Sequence, residues 1–337
     1  NTALSMTAGQ NIALSGSMTV NNKYATTLKI VSITSTNGGF STPAFTITGS
    51  DTADGSYAVN TETDIFVGAF TVKNANGTIT SENGKLDGGV WVVTSGTMRA
   101  EAEHDITFTG SLIADNTNAD GSAVSLTSVS GGVTVPLMRI TDGTYTVSAD
   151  SDIAIDTLTA TKADGTITSA NGGIDGGTWS VTVSSIDAEA KNNITIGTGL
   201  TIDNSESTDK VVSFISRLGS FDSEMIELTG GALEIAAAND VRINEFTAIN
   251  YERIAISALS DSAGYVTYDH EADATSGGMI TGGTWSIKNT LLNDTFVTAY
   301  ADIEIDTSIS LDHVKLDLAS TTGGFTAQAV NVTNGSD

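Results

Sequence analysis

The 337-residue sequence contains no cysteine, only two prolines and few basic side chains. Without cysteine it cannot form a disulfide, a zinc–thiolate site or an iron–sulfur cluster. The cysteine content therefore does not indicate whether the protein is extracellular or intracellular. Lysine and arginine number 14 against 40 acidic residues, which gives a formal charge of −26. Because nucleic acids and anionic lipids are bound through basic side chains, we expect neither as a partner.

Long apolar runs are also missing. No stretch approaches the roughly 18 consecutive apolar residues of a membrane-spanning helix, and no basic, apolar leader opens the chain. We therefore expect no membrane insertion. The sequence begins at Asn1 without methionine, which is typical of a mature or excised piece.

The abundant residues favour strands and turns. Helix formers such as Leu, Met, Glu, Lys and Arg are scarce, whereas Thr, Val and Ile, which favour strands, and Gly, Asn and Asp, which favour turns, dominate. Apolar and polar residues alternate over short runs, as in Ile186, Ala188 and Ala190. The composition and this period of two predict an all-β protein with many short strands.

A long repeat runs through the chain. Residues 76–91 match residues 164–179 at 11 of 16 positions, with an offset of 88 residues. A third copy of the end of this motif finishes at Trp285, so all three tryptophans follow a Gly-Gly-x pattern. Such self-similarity is the signature of a repeat architecture.

A shorter signature has half that period. An Asp or Asn followed by an apolar-x-apolar strand begins at Asn11, Asp64, Asp105, Asp152, Asn193, Asp240 and Asp302. The intervals of 41 and 47 residues alternate in the middle of the chain and sum to 88. We therefore predict a unit of about 44 residues made of two coils of about 22 residues. The units are 11–63, 64–104, 105–151, 152–192, 193–239, 240–301 and 302–337.

Two all-β architectures fit a period of 88 residues. One is a parallel β-solenoid whose strands stack coil on coil. The other is a series of tandem immunoglobulin-like sandwiches. The half-length period favours the solenoid, with about 15 coils in one elongated domain over residues 1–337 and a length on the order of 70 Å. Its inward ladder is predicted to contain Ile65, Ile106, Ile153, Ile194, Val241 and Ile303, and its corners Trp91, Trp179 and Trp285.

The interval from Asp240 to Asp302 is 62 residues long, 21 more than the shortest interval. We interpret the excess as an extra coil near residues 244–273, whose polar side chains either face water or form a glycan-binding or metal-binding loop. The candidate ligand residues are Tyr251, Tyr265, Tyr268, Asp269, His270 and Glu271.

Catalytic patterns are missing from the sequence. His104, His270 and His313 lie far apart, and no serine-hydrolase elbow, phosphate-binding loop or zincin motif occurs. We therefore predict no enzymatic activity and no catalytic residue. The rival functions are a polysaccharide-acting enzyme on a β-helix and a sandwich pilin completed by a donated strand.

Calcium is the one cofactor that the acidic surplus suggests. Calcium needs six to eight oxygen ligands, and acidic turns supply them. The candidates are Asp150, Asp152, Asp203 and Asp209. The alternative is that the acidic residues keep a large β-surface soluble.

The segments that begin at Ala149 (ADSDIAI) and Ala190 (AKNNITI) resemble the repeats of filamentous haemagglutinin-like large exoproteins and autotransporter passengers. This resemblance implies a right-handed parallel β-helix that reaches out from a bacterial surface for adhesion. We thus predict an extracellular structural or adhesive protein of a prokaryotic cell surface. We expect it to associate with itself end to end as a rod or filament subunit, and to contact a host or matrix glycan or protein.

Overall fold

The structure of the chain is a computed structural model that describes residues 3–22, 30–50, 55–116, 123–207, 209–260 and 276–334. The described residues contain strands and no helix. The chain forms two compact units, Asn1–Thr166 and Ile167–Asp337. Within each unit, strands of successive coils pair in parallel. This confirms the predicted all-β parallel solenoid, because sandwich domains are built from antiparallel strands.

The strands are numbered in chain order. The first unit contains β1 (Leu4–Ala8), β2 (Ile12–Ala13), β3 (Met18–Asn21), β4 (Ile30–Ser35), β5 (Phe40–Thr48), β6 (Gly55–Thr61), β7 (Ile65–Lys73), β8 (Ala75–Ser81), β9 (Leu86–Thr94), β10 (Met98–Ala102), β11 (Ile106–Phe108), β12 (Ser111–Asp115), β13 (Ala123–Ser128), β14 (Val133–Ala149) and most of β15 (Ile153–Ser169). The second unit contains β16 (Ile174–Thr182), β17 (Ile186–Ala190), β18 (Ile194–Asp203), β19 (Val211–Ser216), β20 (Phe221–Thr229), β21 (Ala232–Ala237), β22 (Val241–Ile249), β23 (Arg253–Ser260), β24 (Ser276–Gly277), β25 (Ile280–Ala299), β26 (Ile303–Ser320), β27 (Phe325–Ala327) and β28 (Val330–Thr333).

Each coil has three faces, which β14 shows in a single strand. Buried residues alternate with outward ones over 133–135, 138–140 and 145–149, which we call the first, second and third faces. Two consecutive outward residues, at 136 and 137, turn the chain between the first two faces. Asp142 and Gly143 have φ angles of 55° and 94° and turn it into the third face. Inward side chains from the three faces fill the centre of the coil.

The first face carries a continuous ladder of apolar residues in each unit. Residue pairing joins Ile65 to Leu86 and Leu86 to Ile106, so the short signature recurs in every second coil. The predicted members Ile65, Ile106, Ile153, Ile194, Val241 and Ile303 are all at most 1% exposed. The paired ladder is Ile12, Phe40, Ile65, Leu86, Ile106 and Val133 in the first unit. In the second unit it is Ile174, Ile194, Phe221, Val241, Ile280, Ile303 and Phe325.

The three tryptophans begin the second face, directly after the first corner. All three are completely buried, and Trp91 Nε1 donates a hydrogen bond of 3.0 Å to the carbonyl oxygen of Val67 in the preceding coil. A Cβ atom on Gly88 would lie 3.0 Å from this indole nitrogen, and one on Gly89 would lie 2.0 Å from the carbonyl oxygen of Gly68. The Gly-Gly-x-Trp motif therefore makes room for the indole with its first glycine and for a tight corner with its second.

Polar side chains at the turn before the first face explain why the repeat spans two coils. In alternate coils, Oδ1 of the signature Asp or Asn accepts a hydrogen bond from a backbone N–H one coil further on. These bonds are 2.7–3.0 Å long. The pairs are Asn11 with Gly39, Asp64 with Lys85, Asp105 with Gly132, Asn193 with Ser220, Asp240 with Met279 and Asp302 with Gly324. One coil supplies the acceptor and the next supplies the donor.

Buried asparagines bridge coils at the corner before the third face. Asn204 is completely buried; its Oδ1 accepts from Ser184 N at 2.9 Å, and its Nδ2 donates to Ser184 O at 3.1 Å. Asn289 is 3% exposed and donates to Tyr251 O at 2.9 Å. These side chains hydrogen-bond to buried backbone groups at the corner of the neighbouring coil.

The long interval between Asp240 and Asp302 contains no extra coil, and that prediction is wrong. Val241 pairs directly with Ile280, and Ile280 pairs with Ile303, so the interval spans two coils like the others. On either side of residues 261–275, Ser260 and Ser276 pair with one another in antiparallel orientation. The interval is therefore longer without containing a further layer of the ladder, so the similarity of its excess to one coil length was misleading.

Candidate functional site

The last described coil exposes residues at positions that are buried elsewhere in the second unit. Phe325 occupies the first-face ladder position, and Val330 and Val332 pair with the buried Ile309 and Leu311. Their exposed fractions are 44%, 51% and 52%. In the described part of the chain, β27 and β28 pair with β26 alone, so each has one hydrogen-bonding edge without a strand partner.

The third face of this coil is open in the same way. Leu316 and Leu318, in β26, pair with Thr295 and Val297 of the coil below. Both leucines are half-buried, whereas Thr295 and Val297 are fully covered. All three faces of the last coil therefore present core side chains and strand edges to solvent.

The first described coil has a matching open surface in the first unit. Leu4 and Met6 pair with the inward residues Val31 and Ile33, and Met18 pairs with Phe45. Leu4, Met6 and Met18 are only half-buried. They line a hollow of about 590 Å³ together with residues 13–17 and Thr19.

Both open coils carry little charge, and among their described strands the charged residues are Lys315 and Asp317, on either side of Leu316. Residues 1–22 and 318–336 contain no Asp, Glu, Lys or Arg, although 16% of the whole sequence is charged. Exposed edge strands normally carry charged side chains, especially lysine, which discourage pairing with another chain. Apart from Lys315 and Asp317, these two surfaces are therefore without the usual protection against strand addition.

A polar cleft of about 640 Å³ lies at the corner before the third face in the second unit. Glu252 and Arg253 give it one charge of each sign, and Arg253 forms an ion pair with Glu234. Asn250 lies at this corner and has a φ angle of 51°, in the left-handed region that a tight turn requires. The lining consists of Val211, Ala232, Asn250, Tyr251, Glu252, Arg253, Asn289, Thr290 and Asn293. Such a mixture of amides, charges and hydroxyls can hydrogen-bond a polar ligand.

Tyr251 is a buried residue in the lining of this cleft. Its side chain is 1% exposed, and its hydroxyl lies 2.6 Å from Oγ1 of Thr295. Burial raises the pKa of Tyr251, and hydrogen bonds with Thr295 and Asn289 offset part of that rise. The ring is thus unavailable for stacking on a sugar. The other residues predicted for a ligand loop, Tyr265, Tyr268, Asp269, His270 and Glu271, lie outside the described residues.

The structure does not bring the calcium candidates together. Asp203 Oδ1 accepts hydrogen bonds from Ser205 N and Oγ at 3.2 and 2.6 Å, and Asp209 Oδ1 accepts one from Ser207 Oγ at 2.5 Å. The bond from Ser207 lowers the pKa of Asp209. Asp150 and Asp152 lie in a turn of the first unit. Among the described residues, no three His, Asp or Glu side chains are grouped so that they could hold a metal ion.

Sequence reasoning predicted end-to-end association, but it did not identify the residues that the open coils expose. Leu316, Leu318, Val330 and Val332 look like ordinary inward residues, because alternation predicts burial at each of them. The signal that could have found them is the lack of charge in residues 1–22 and 318–336, in a chain whose formal charge is −26.

No protein-family model, curated protein or solved structure matches the chain. In the part of the chain that the structure describes, no helix is long and apolar enough to cross a membrane.

Proposed function

We propose that the chain is an extracellular structural or adhesive protein of a prokaryotic cell surface whose copies assemble end to end. The observation that carries this proposal is the exposure of Phe325, Val330 and Val332 on the last described coil, at positions that other coils bury. Full burial of such a side chain contributes roughly 1.5–3 kcal/mol, so covering the exposed part of each contributes about half of that. Strand edges beside these side chains supply hydrogen bonds that an added parallel strand can complete.

Sedimentation velocity over a series of protein concentrations tests the proposal. The parent chain is expected to form larger species as its concentration rises. Val330→Asp places a charge on the open coil and is expected to leave monomers. Val129→Asp is the matched control, because Val129 is 50% exposed, against 51% for Val330, and lies in a turn of the first unit. A monomeric parent at every concentration, or equal assembly of all three proteins, would contradict the proposal.

The polar cleft in the second unit is the surface that supports an adhesive role. Its amides, Glu252 and Arg253 provide donors and acceptors suited to the hydroxyl groups of a host or matrix glycan. On immobilised glycans, the parent is expected to be retained and Asn250→Ala to be retained less. Equal retention of both proteins would place glycan binding outside the cleft.

A further inference from the structure

The open coils share more than exposure, and their residue positions correspond one to one. We propose that the first described coil of a second copy stacks on the last described coil in continuous register. In this contact, Leu4, Met6, Ile12, Met18 and Val20 of one copy extend the ladders that end at Leu316, Leu318, Phe325, Val330 and Val332 of the other. The inference rests on the proposed function, since it names the partner and the register of end-to-end assembly.

The ladders identify the corresponding positions. In the first unit, pairing carries Met18 through Phe45 and Phe70 to Trp91. The 88-residue repeat equates Trp91 with Trp179. From Trp179, pairing in the second unit leads to Val330 through Leu200, Ile226, Phe246, Trp285 and Ile309. Met18 and Val330 therefore occupy the same position of the coil.

Strand pairing on the third face shows independently that the first and last described coils have the same register. Pairing carries Leu4 through Val31, Tyr57 and Gly77 to Met98, whose equivalent 88 residues later is Ile186. From Ile186, pairing leads to Leu316 through Val212, Leu233, Ile254 and Thr295. The spacing agrees as well, because 14 residues separate Leu4 from Met18 and Leu316 from Val330.

The order of the faces also fits. The first described strand, β1, is a third-face strand, and it is followed by β2 on the first face and β3 on the second. The last coil ends with β27 on the first face and β28 on the second. A second copy thus supplies the third-face strand that follows β28, and each of its strands meets an open edge.

The two-coil alternation continues across the same contact. Gly324, in the last coil, donates its N–H to Asp302, so this coil is a donor coil. The coil above it should then carry an acceptor Asp or Asn before its first face. The first described coil carries Asn11 there, and Asn11 Oδ1 accepts from Gly39 N at 2.8 Å. The stacked pair therefore keeps donor and acceptor coils in strict succession.

A second copy of this chain fits as the partner because neither surface has a net charge, Lys315 and Asp317 being of opposite sign. A protein with a formal charge of −26 repels its own copies, and that repulsion is weakest where the contacting segments carry no charge. Residues 1–22 and 318–336 are such segments. The contact joins two different surfaces, so it is heterologous and can extend through many copies unless it closes into a ring.

Engineered cysteines test the register, since the chain has no cysteine of its own. Thr19 and Asn331 are exposed, and each follows a corresponding ladder residue, Met18 or Val330. Facing residues on adjacent strands lie about 4.8 Å apart, within the roughly 4.4–6.8 Å between Cα atoms that a disulfide spans. A mixture of Thr19→Cys and Asn331→Cys chains is expected to form cross-linked dimers under mild oxidation, whereas neither variant alone forms them.

Thr326→Cys mixed with Thr19→Cys is the matched control, because Thr326 is exposed on the first face of the same last coil. This mixture is expected to stay uncross-linked. Equal cross-linking of both mixtures, or dimers of Asn331→Cys alone, would overturn the proposed register. If the variants assemble by sedimentation but Thr19 and Asn331 do not cross-link, the register is wrong and end-to-end assembly stands. If the parent does not assemble at all, the proposed function fails with it.

Discussion

Oδ1 of Asp105 lies 2.8 Å from the backbone nitrogen of Gly132, which is 27 residues further along the chain and one coil away. The carboxylate fills the space beside the turn so closely that a Cβ atom on Gly131 would lie 2.4 Å from the same oxygen. A glycine is therefore needed wherever an Asp or Asn of the preceding coil reaches across. This exchange between neighbouring coils gives the sequence its period of two coils.

Removing the acceptor should weaken this junction. Asp105→Ala leaves the Gly132 N–H to water and is expected to lower the free energy of unfolding by about 1 kcal/mol. Asp105→Asn should stay within about 0.5 kcal/mol of the parent, because Asn11 and Asn193 make the same bond in other coils. Denaturant titration measures both changes. Equal losses in the two variants would show that the hydrogen bond is not what stabilises the turn.

Placing a methyl group at Gly131, beside Asp105, should lower the stability of the fold more than removing the acceptor does. Gly131→Ala places its methyl group 2.4 Å from Asp105 Oδ1 and 2.7 Å from Asp105 N. We expect a loss of about 1–3 kcal/mol, since the backbone must shift. Gly16→Ala is the control, because a Cβ atom there would have no atom of the described part of the chain within 4 Å. Thermal unfolding should separate the two, and similar melting temperatures would count against the steric account.

Two buried tyrosines are predicted to respond differently to loss of the hydroxyl. Tyr57 donates to Thr97 O at 3.2 Å, whereas the buried hydroxyl of Tyr145 has no hydrogen-bond partner among the described residues. Tyr57→Phe should therefore cost about 1 kcal/mol of stability. Tyr145→Phe should be neutral or stabilising, because it removes an unsatisfied buried group. A larger loss in Tyr145→Phe than in Tyr57→Phe, measured by denaturant titration, would contradict this.

The same tyrosines predict loss of stability in alkali. Burial raises the pKa of Tyr57 and Tyr145 in the folded chain. Above the ordinary tyrosine pKa of about 10, the unfolded chain releases protons that the folded chain keeps. The unfolded state is then favoured, so the free energy of unfolding should fall as pH rises through this range and be unaffected by these groups below it. The fall should be smaller in the double variant Tyr57→Phe/Tyr145→Phe, and an unchanged slope would refute the assignment.

The architecture could be predicted from sequence because its determinants are local and repeated. Alternation places Ile65 and Ile194 inward, and the 88-residue repeat equates Trp91 with Trp179. The partner of Asp105 could not be predicted, since the hydrogen bond joins groups that only coil stacking brings together. For the same reason, the long interval between Asp240 and Asp302 was interpreted as containing an extra coil, because length alone does not show which strands pair.

The candidate sites were harder to predict, because exposure depends on neighbouring coils. Tyrosine is a residue type common in ligand-binding sites, yet Tyr251 lies buried against Thr295. Val330 has the pattern of a core residue, yet half of it is exposed, since no described strand covers the last coil. Residue type and alternation carry no information about which coil is left open.

Electron microscopy of the purified chain in negative stain tests end-to-end assembly most directly. The parent is expected to form lines or rings of joined copies, with Val330→Asp showing separate particles under the same conditions. Separate particles of the parent at high protein concentration, or unchanged lines in Val330→Asp, would contradict the account.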